Sequence, residues 1–208
     1  MPEWWGITDH IRSEARRFAE LGYTAFVADM YGEAKTADNP KDAGALAGSV
    51  MRSPQVMQSR FNAAHAQLAK HATVDAQRTG AAGYCFGGTV AINMVRAGAN
   101  LAGIVAFHAG LSTNTPAPTS VKAKVLVLNG ADDPLVKPEQ IEAFKKDMEA
   151  AKADYRFLNY PGGVHAFTNP AATEADKKFN MPIAYNAEVD RQAKAEAAKF
   201  FAEVFKGK

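Results

Sequence analysis

The sequence predicts an α/β protein built on a mostly parallel sheet with helices on both faces. Two observations support this fold class. Helical patterns alternate with short apolar runs along the chain, and those runs have the length and composition of buried strands. A chain of 208 residues can bury about 70% of its surface on folding, which is enough for one core. We therefore expect a single domain over residues 1–208.

The first predicted helix begins at Thr8-Asp9 and stops at Gly22, because the apolar residues between them recur at helical spacing. Apolar runs predict strands at residues 23–28, 78–84, 101–107, 124–128 and 155–160. Further helices are predicted at residues 55–70, 87–97, 138–151 and 188–206. The stretch 33–54, rich in alanine, glycine and charge, is expected to be an excursion over the surface.

The composition excludes several classes of protein. The 24 basic and 22 acidic residues nearly cancel, which leaves no basic surface for nucleic acid or an anionic membrane. No apolar stretch reaches the ~18 residues of a membrane span, and the N-terminus lacks a signal-peptide layout, so we expect a cytoplasmic protein. The single cysteine rules out an internal disulfide, and His65 and His71 are not spaced to share a metal. We expect no metal and no cofactor.

A short motif lies between the strand at 78–84 and the helix that follows it. Gly83-Tyr-Cys85-Phe-Gly87 has small residues two positions before and after a cysteine, as the sharp turn of a nucleophile elbow requires. Such a turn places the thiol at a helix N-terminus, where N–H groups and the helix dipole favour a thiolate. Cys85 is therefore a candidate nucleophile. Alternatively, it is a buried cysteine that packs as a small apolar residue.

Two further candidates follow later strands. Asp133 lies in a turn after the strand at 124–128, and His165 lies in a glycine-rich loop after the strand at 155–160. Taken singly, Asp133 fits a turn or helix cap and His165 fits a surface loop. The order Cys85, Asp133, His165, with each at a strand end, is the nucleophile–acid–base order of hydrolases that use a triad. The sequence thus predicts that His165 acts as base and that Asp133 orients it.

These segments resemble the dienelactone hydrolase family, which has the α/β-hydrolase fold. The resemblance runs over essentially the whole chain and rests on Gly-Tyr-Cys85-Phe-Gly-Gly, Gly130-x-x-Asp133-Pro134, Gly-Val-His165-Ala-Phe, Glu3-Trp-Trp-Gly and the segment 22–32. It implies a hydrolase of small esters or lactones that forms a thioester at Cys85. The implied partner is the small-molecule substrate, and we expect a monomer or a homodimer.

The resemblance also implies supporting residues. Glu3 matches the glutamate beside the nucleophile, which holds the cysteine in its resting form and helps to ionise it when substrate binds. The backbone N–H groups of Trp4 and Phe86 match the oxyanion hole. Four residues near strand ends are candidate walls of the substrate pocket, with a core or capping role as the alternative for each: Trp5, Tyr31, Phe107 and His108.

Two departures from the family affect these expectations. Family members that act on dienelactone bind its carboxylate with arginines, one of them four residues after the histidine. Asn169 stands at that position, which argues against dienelactone itself as substrate. The chain also begins almost at Glu3, so the α/β-hydrolase fold is expected to be N-terminally truncated, without the strand that lies between 23–28 and 78–84 in the family.

The gap that such a missing strand leaves in the sheet, which we call the slot, has an energetic cost. Each buried, unpaired backbone group costs about 1–3 kcal/mol, so the slot is not expected to stay open. We expect that its two neighbouring strands close up, that a second copy donates a segment, or that residues precede Met1.

Two other functions remain open from the sequence. The same triad can act on another electrophile, such as a phosphotriester. Alternatively, the chain is a non-catalytic family member that binds a ligand or partner, because its N-terminus disrupts Glu3 and the oxyanion hole.

Overall fold

The computed structural model describes residues 1–112 and 118–206, and within them the chain forms four strands and seven helices. The strands are β1 (Gly80–Tyr84), β2 (Gly103–Phe107), β3 (Lys124–Gly130) and β4 (Tyr155–Tyr160). The helices are α1 (Asp9–Glu20), α2 (Pro40–Met51), α3 (Pro54–Ala69), α4 (Phe86–Arg96), α5 (Pro138–Ala150), α6 (Ala172–Phe179) and α7 (Ala187–Phe205).

The four strands form one parallel sheet in the order β1-β2-β3-β4. Side chains of β3 alternate between its two faces, as the pleat of a strand requires. Val125 and Val127 pack into a core with α3, α4 and α5, whereas Leu126 and Leu128 pack into a second core with α1 and α7. The predicted parallel sheet with helices on both faces is confirmed.

The predicted strand at residues 23–28 is wrong. None of these residues belongs to the sheet, and within the described chain the backbone N–H groups of residues 24–28 have no acceptor. The apolar composition of the run suits a strand, but a strand forms only where a neighbour supplies hydrogen-bond partners.

Two helices lie where none was predicted. In the stretch 33–54, expected to be a surface excursion, α2 begins where the Asn39 side chain accepts the N–H of Asp42 at 3.0 Å and Pro40 occupies the first turn. The second unpredicted helix, α6, ends at Asn180, whose φ of 52° is a left-handed C-terminal conformation.

The N-terminus lies against the free edge of β1. The Met1 amine donates to the Ala82 carbonyl at 2.5 Å, and the Tyr84 N–H donates to the Met1 carbonyl at 3.2 Å. The rest of this edge borders a cavity of about 450 Å³ that residues 22–28 line on the opposite side. We call this cavity the β1 groove.

The expectation that the two neighbours of the missing strand close up is wrong, because the β1 groove separates them. The cost expected for an open slot assumed buried backbone groups. In the structure, residues 80–82 are half-buried and residues 24–26 are exposed, so water can reach their unpaired groups. A hydrated group does not carry the cost of a buried one, which is why the slot persists within the described chain.

Candidate active site

Cys85 occupies the turn between β1 and α4. Its backbone has φ 52° and ψ −116°, a strained conformation for a residue with a side chain, and its N–H donates to the Phe107 carbonyl at 3.0 Å. Glycine is needed around it, since a Cβ on Gly87 would lie 2.5 Å from the Met1 carbonyl oxygen and one on Gly88 would lie 2.7 Å from the Cβ of Ala109. The turn therefore has the geometry of a nucleophile elbow.

The three candidate triad residues meet at the carboxyl end of the sheet. His165 Nε2 lies 3.0 Å from the Sγ of Cys85, and His165 Nδ1 lies 2.8 Å from Asp133 Oδ2. These side chains follow β1, β3 and β4, whose carboxyl ends lie on the same side because the sheet is parallel. The expected contacts from Cys85 to His165 and from His165 to Asp133 are confirmed.

Neighbouring backbone groups hold Asp133 and His165 in position. The Leu135 N–H donates to Asp133 Oδ1 at 2.8 Å, which leaves the other oxygen for His165. The carbonyl of His165 accepts the N–H of Ala184 at 3.2 Å, so the loop after β4 is tied to the segment that follows α6. Because the Asp133 side chain is fully buried, water does not compete for its contact with His165.

The electrostatics of the site favour a charged imidazole. Burial of His165 opposes its protonation, but the negative charges of Cys85 and Asp133 outweigh burial and raise the pKa of His165 to about 10.

Glu3 lies beside the triad, but its hydrogen bond is to Asn169 rather than to Cys85. Asn169 Nδ2 donates to Glu3 Oε2 at 2.7 Å, and the Glu3 side chain is almost completely buried. Burial raises the pKa of Glu3 to about 7, against the lowering effects of the Asn169 hydrogen bond and the nearby charge of His165. The thiol of Cys85 instead contacts His165.

The two N–H groups predicted to form the oxyanion hole are not used in hydrogen bonds within the described residues. Within residues 1–112 and 118–206, the backbone N–H groups of Trp4 and Phe86 have no acceptor. The Gly87 N–H donates to the Pro2 carbonyl at 2.9 Å, which ties the segment before Trp4 to the start of α4. Tyr31 supports the same segment, since its hydroxyl donates to the Trp4 carbonyl at 2.8 Å.

Two of the four predicted pocket walls lie elsewhere. Phe107 has no exposed surface and stacks on Tyr84 in the core, with ring centroids 4.6 Å apart, so it cannot line an open pocket. His108 is equally buried and lies behind the base, its ring centroid 5.4 Å from that of His165. Both side chains are covered because Phe107 ends a central strand and His108 lies just beyond it.

Of the other two predicted walls, Tyr31 lies at the turn and Trp5 lies against α6. Tyr31 packs on the Phe86 ring at 5.5 Å, next to Cys85 in the chain. Trp5 is half-buried and faces Phe179 of α6, with ring centroids 6.2 Å apart. Phe179 was not singled out from the sequence, because α6 itself was not predicted.

A second missed feature is the support behind His165. Thr168 Oγ1 lies 2.8 Å from His108 Nε2 and 3.3 Å from His10 Nε2. Burial lowers the pKa of His10 to about 4 and that of His108 well below its ordinary value, so both rings are neutral. No sequence signal joins these residues, because they lie on α1, after β2 and in the loop after β4.

The described residues contain no cluster of three or more histidine, cysteine or carboxylate side chains arranged to hold a metal ion. Among the helices of the same residues, none is both long enough and apolar enough to cross a membrane.

Comparison with known proteins places this geometry in a family. The profile of the Dienelactone hydrolase family matches residues 1–205. A solved dienelactone hydrolase-like promiscuous phosphotriesterase from metagenomic libraries is 33% identical, with a TM-score of 0.91 over 98% of this chain and 84% of that one. A solved structure named m3DLH is 35% identical, with a TM-score of 0.92 over 99% of this chain and 85% of that one.

A curated relative from Methylorubrum extorquens, named as a carboxymethylenebutenolidase, is 32% identical over 177 residues. The match covers 79% of this chain and 60% of that relative's length. Fold, elbow and profile agree, and the chain belongs to the dienelactone hydrolase family of hydrolases.

Proposed function

We propose that this protein hydrolyses small carboxylic esters or lactones by nucleophilic catalysis, with Cys85 as nucleophile, His165 as acid–base catalyst and Asp133 as the residue that orients it. One observation carries the proposal: a single imidazole lies 3.0 Å from the Cys85 sulfur and 2.8 Å from the Asp133 carboxylate. Membership of a hydrolase family gives the reaction class.

The first half of the reaction forms a thioester. The Cys85 thiolate attacks the acyl carbon, and the electron pair of the C=O bond moves to its oxygen, where the N–H groups of Trp4 and Phe86 stabilise the charge. When the carbonyl re-forms, the bond to the leaving alcohol breaks and its oxygen takes the proton from His165 Nε2.

The second half releases the acid. His165, now neutral, removes a proton from water as the water attacks the thioester carbon, and the thiolate of Cys85 leaves. Asp133 remains ionised and stabilises the imidazolium in both halves. No cofactor enters either step.

The site favours an uncharged acyl group. Glu3 is the carboxylate beside the triad, and its partner Asn169 is a neutral donor that is already used. A substrate carboxylate near these two residues would meet no compensating cation from either of them. We therefore expect neutral esters and lactones to be turned over faster than their anionic analogues.

A second candidate function is hydrolysis of phosphotriesters. The likeness to a promiscuous phosphotriesterase, at 33% identity, favours it. The thiolate would attack phosphorus instead of carbon and displace an aryloxide, and the same two N–H groups would contact the phosphoryl oxygen.

The test is turnover of p-nitrophenyl acetate, a neutral five-membered lactone and diethyl p-nitrophenyl phosphate by the wild type, Cys85→Ala and Cys85→Ser. Cys85→Ala should remove activity, and Cys85→Ser should lower kcat/KM on the order of 10³-fold, because His165 must then deprotonate an alcohol during attack. Both variants should keep the wild-type melting temperature.

The outcomes separate the three readings. Ester and lactone turnover that depends on Cys85 supports the proposal, and phosphotriester turnover with little ester turnover supports the second candidate. Wild-type turnover no faster than that of Cys85→Ala on every substrate would identify a non-catalytic binding protein.

A further inference from the structure

We propose that Thr168 and His108 are positioning residues for His165. The Thr168 hydroxyl holds the ring of His108 against that of His165, and His108 thereby keeps the imidazole of His165 between Cys85 and Asp133. This role rests on the proposed function, in which His165 is the acid–base catalyst. Three features of the structure support it: the path of the loop that carries His165, the contacts of His108, and the backbone conformation of His108.

The loop after β4 carries His165 across the sheet. In the order β1-β2-β3-β4, Cys85 follows β1 and His165 lies beyond β4. Three spacings of about 4.8 Å separate these two strands, which is roughly 14 Å. The imidazole nevertheless lies 3.0 Å from the Cys85 sulfur. Because His165 lies so far from its own strand, its position depends on residues at the ends of β2 and β3.

His108 is the residue at the end of β2. It directly follows that strand, and its ring lies edge-on to the rings of both His165 and Phe167, with centroids 5.4 and 5.0 Å apart. The side chain has no exposed surface. Since buried side chains are closely packed, the contact between the two histidine rings restricts the rotation of His165.

The backbone of His108 is strained. Its φ is 38°, in the left-handed region that disfavours residues with a side chain, and its N–H donates to the Leu128 carbonyl at 2.8 Å. Such a conformation persists only where the surroundings over-determine it, and such residues cluster at active sites. The strain therefore indicates that the fold holds the His108 side chain in this place.

The Thr168 hydroxyl determines how the His108 ring is held. Thr168 Oγ1 lies 2.8 Å from His108 Nε2 and 3.3 Å from His10 Nε2. A hydroxyl has one proton, so at least one of these two ring nitrogens must carry a proton and donate it. Neither Thr168 nor His108 has any exposed surface. Loss of the hydroxyl would leave His108 Nε2 buried without this partner, which is costly, so the ring would move.

A purely structural role for these residues is the alternative, and the titration of His165 separates the two. The titratable groups that face its ring are those of Cys85, Asp133, Glu3 and His108. Cys85 and Asp133 raise the pKa of His165 to about 10. Displacement of the ring from these two groups would lower that pKa towards its ordinary value of 6.5, whereas a change in packing elsewhere would not.

The test compares three variants. Thr168→Val keeps the shape of the side chain and removes the hydroxyl, and Thr168→Ser restores the hydroxyl. Thr79→Val is the matched control, because Thr79 is also buried and its Oγ1 lies 2.8 Å from His65 Nε2. Thr79 precedes β1, at the opposite end of the strand from Cys85. The control thus removes a threonine–histidine hydrogen bond of the same length far from the triad.

Three quantities are measured: kcat/KM for p-nitrophenyl acetate, the melting temperature, and the pH titration of the His165 ring. The titration is followed by NMR of protein labelled with ¹⁵N-histidine, and His165→Gln assigns the signal. We expect Thr168→Val to lower kcat/KM at least about ten-fold and to lower the pKa of His165. Thr168→Ser should stay within about three-fold of the wild type, and Thr79→Val within about two-fold with an unchanged titration.

A second variant gives the same information if Thr168→Val does not fold. His108→Phe retains a buried ring next to His165 but cannot bond to Thr168, so it should lower kcat/KM and the pKa of His165 in the same direction. Where both single variants fold, the double variant should lose no more activity than the worse of the two, because both changes break one interaction.

The two proposals fail separately, because the NMR titration does not require turnover. A wild type that hydrolyses no ester would contradict the proposed function, while the titration would still report the position of His165. An unchanged His165 titration in Thr168→Val, or in His108→Phe if only that variant folds, would overturn the positioning role. Equal losses of kcat/KM in Thr168→Val and Thr79→Val would also overturn it.

Discussion

The two ends of β1 differ sharply in how well they are paired. At the carboxyl end, Cys85 is held by a hydrogen bond to β2, by contact with His165 and by the N-terminal segment that meets the start of α4. Along the free edge, Gly80 and the Ala82 N–H face a groove within the described residues. Within the described residues, one short strand thus combines an ordered carboxyl end with an open edge.

Met1 and Pro2 explain how the two ends can differ. These residues pair with Ala82, Tyr84 and Gly87, and the chain then leads directly into Glu3 and Trp4. Met1 is therefore paired with the carboxyl end of β1 as one residue of a parallel strand would be, next to the candidate site. Closing up of the neighbouring strands would displace Glu3 and Trp4, but the strands stay apart in the structure and Glu3 lies close to His165.

The largest effect is expected at the ordered end. Asp133→Asn should lower kcat/KM for p-nitrophenyl acetate on the order of 10³-fold, because an amide neither stabilises the imidazolium nor enforces the tautomer of His165. Asp132→Asn is the matched control. Asp132 is exposed and accepts the Gly162 N–H at 2.8 Å rather than contacting His165, so that variant should stay within about three-fold of the wild type. Equal losses in the two variants would contradict the triad.

The stability of the two regions should differ in the same way. Leu126→Ala removes a fully buried side chain from the core between β3 and α7 and should lower the free energy of unfolding by about 2–5 kcal/mol. Phe26→Ala at the lip of the groove should lower it by less than about 1 kcal/mol, since that ring is already half in water. Urea unfolding of both variants measures the difference, and equal costs would mean that the groove is closed in solution.

A smaller effect is expected at Glu3, on the pH dependence of the free energy of unfolding. The raised pKa of Glu3 means that the folded protein retains a proton that the unfolded chain loses, between the ordinary value of 4.5 and about 7. The contribution of Glu3 to stability is therefore complete below pH 4.5 and is lost as the pH rises towards 7, by about 3 kcal/mol.

Glu3→Gln removes this titration and retains an acceptor for Asn169. The variant should gain stability relative to the wild type as the pH rises through that window. The comparison with the wild type is needed because the lowered pKa values of Met1, His10 and His108 change stability in the opposite direction. Urea unfolding at both ends of the window measures it. A difference between the two proteins that does not change with pH would show that Glu3 titrates normally.

The sequence predicts the parts of this molecule that are set locally or by motif. Each of the four sheet strands and the flanking helices has a clear apolar pattern, and Gly83, Gly87 and Gly88 mark a turn that admits little else. The order of Cys85, Asp133 and His165 then predicts their meeting, since all follow strands of one parallel sheet.

The features that the sequence does not predict depend on distant partners. Residues 23–28 have a strand-like composition but no pairing neighbour, which a local pattern cannot reveal. Phe107 and His108 end the apolar run of β2 in the sequence, yet neighbouring strands and Phe167 cover them. In contrast, residues that indicate helix ends are visible in the sequence for both unpredicted helices: Asn39-Pro40 at the start of α2 and Asn180 at the end of α6. The alanine, glycine and charged residues around them obscure this indication.

The most direct test of the account is the mass of the protein during turnover. Cys85 is the single cysteine, so an acyl group carried as a thioester has one possible site. The wild type is mixed with p-nitrophenyl acetate, quenched in acid within the burst, and its intact mass and peptide map are recorded. We predict one added acetyl group, located on Cys85, released by hydroxylamine and absent from Cys85→Ala. Full turnover with no adduct on Cys85, or the same adduct in Cys85→Ala, would contradict the proposed mechanism.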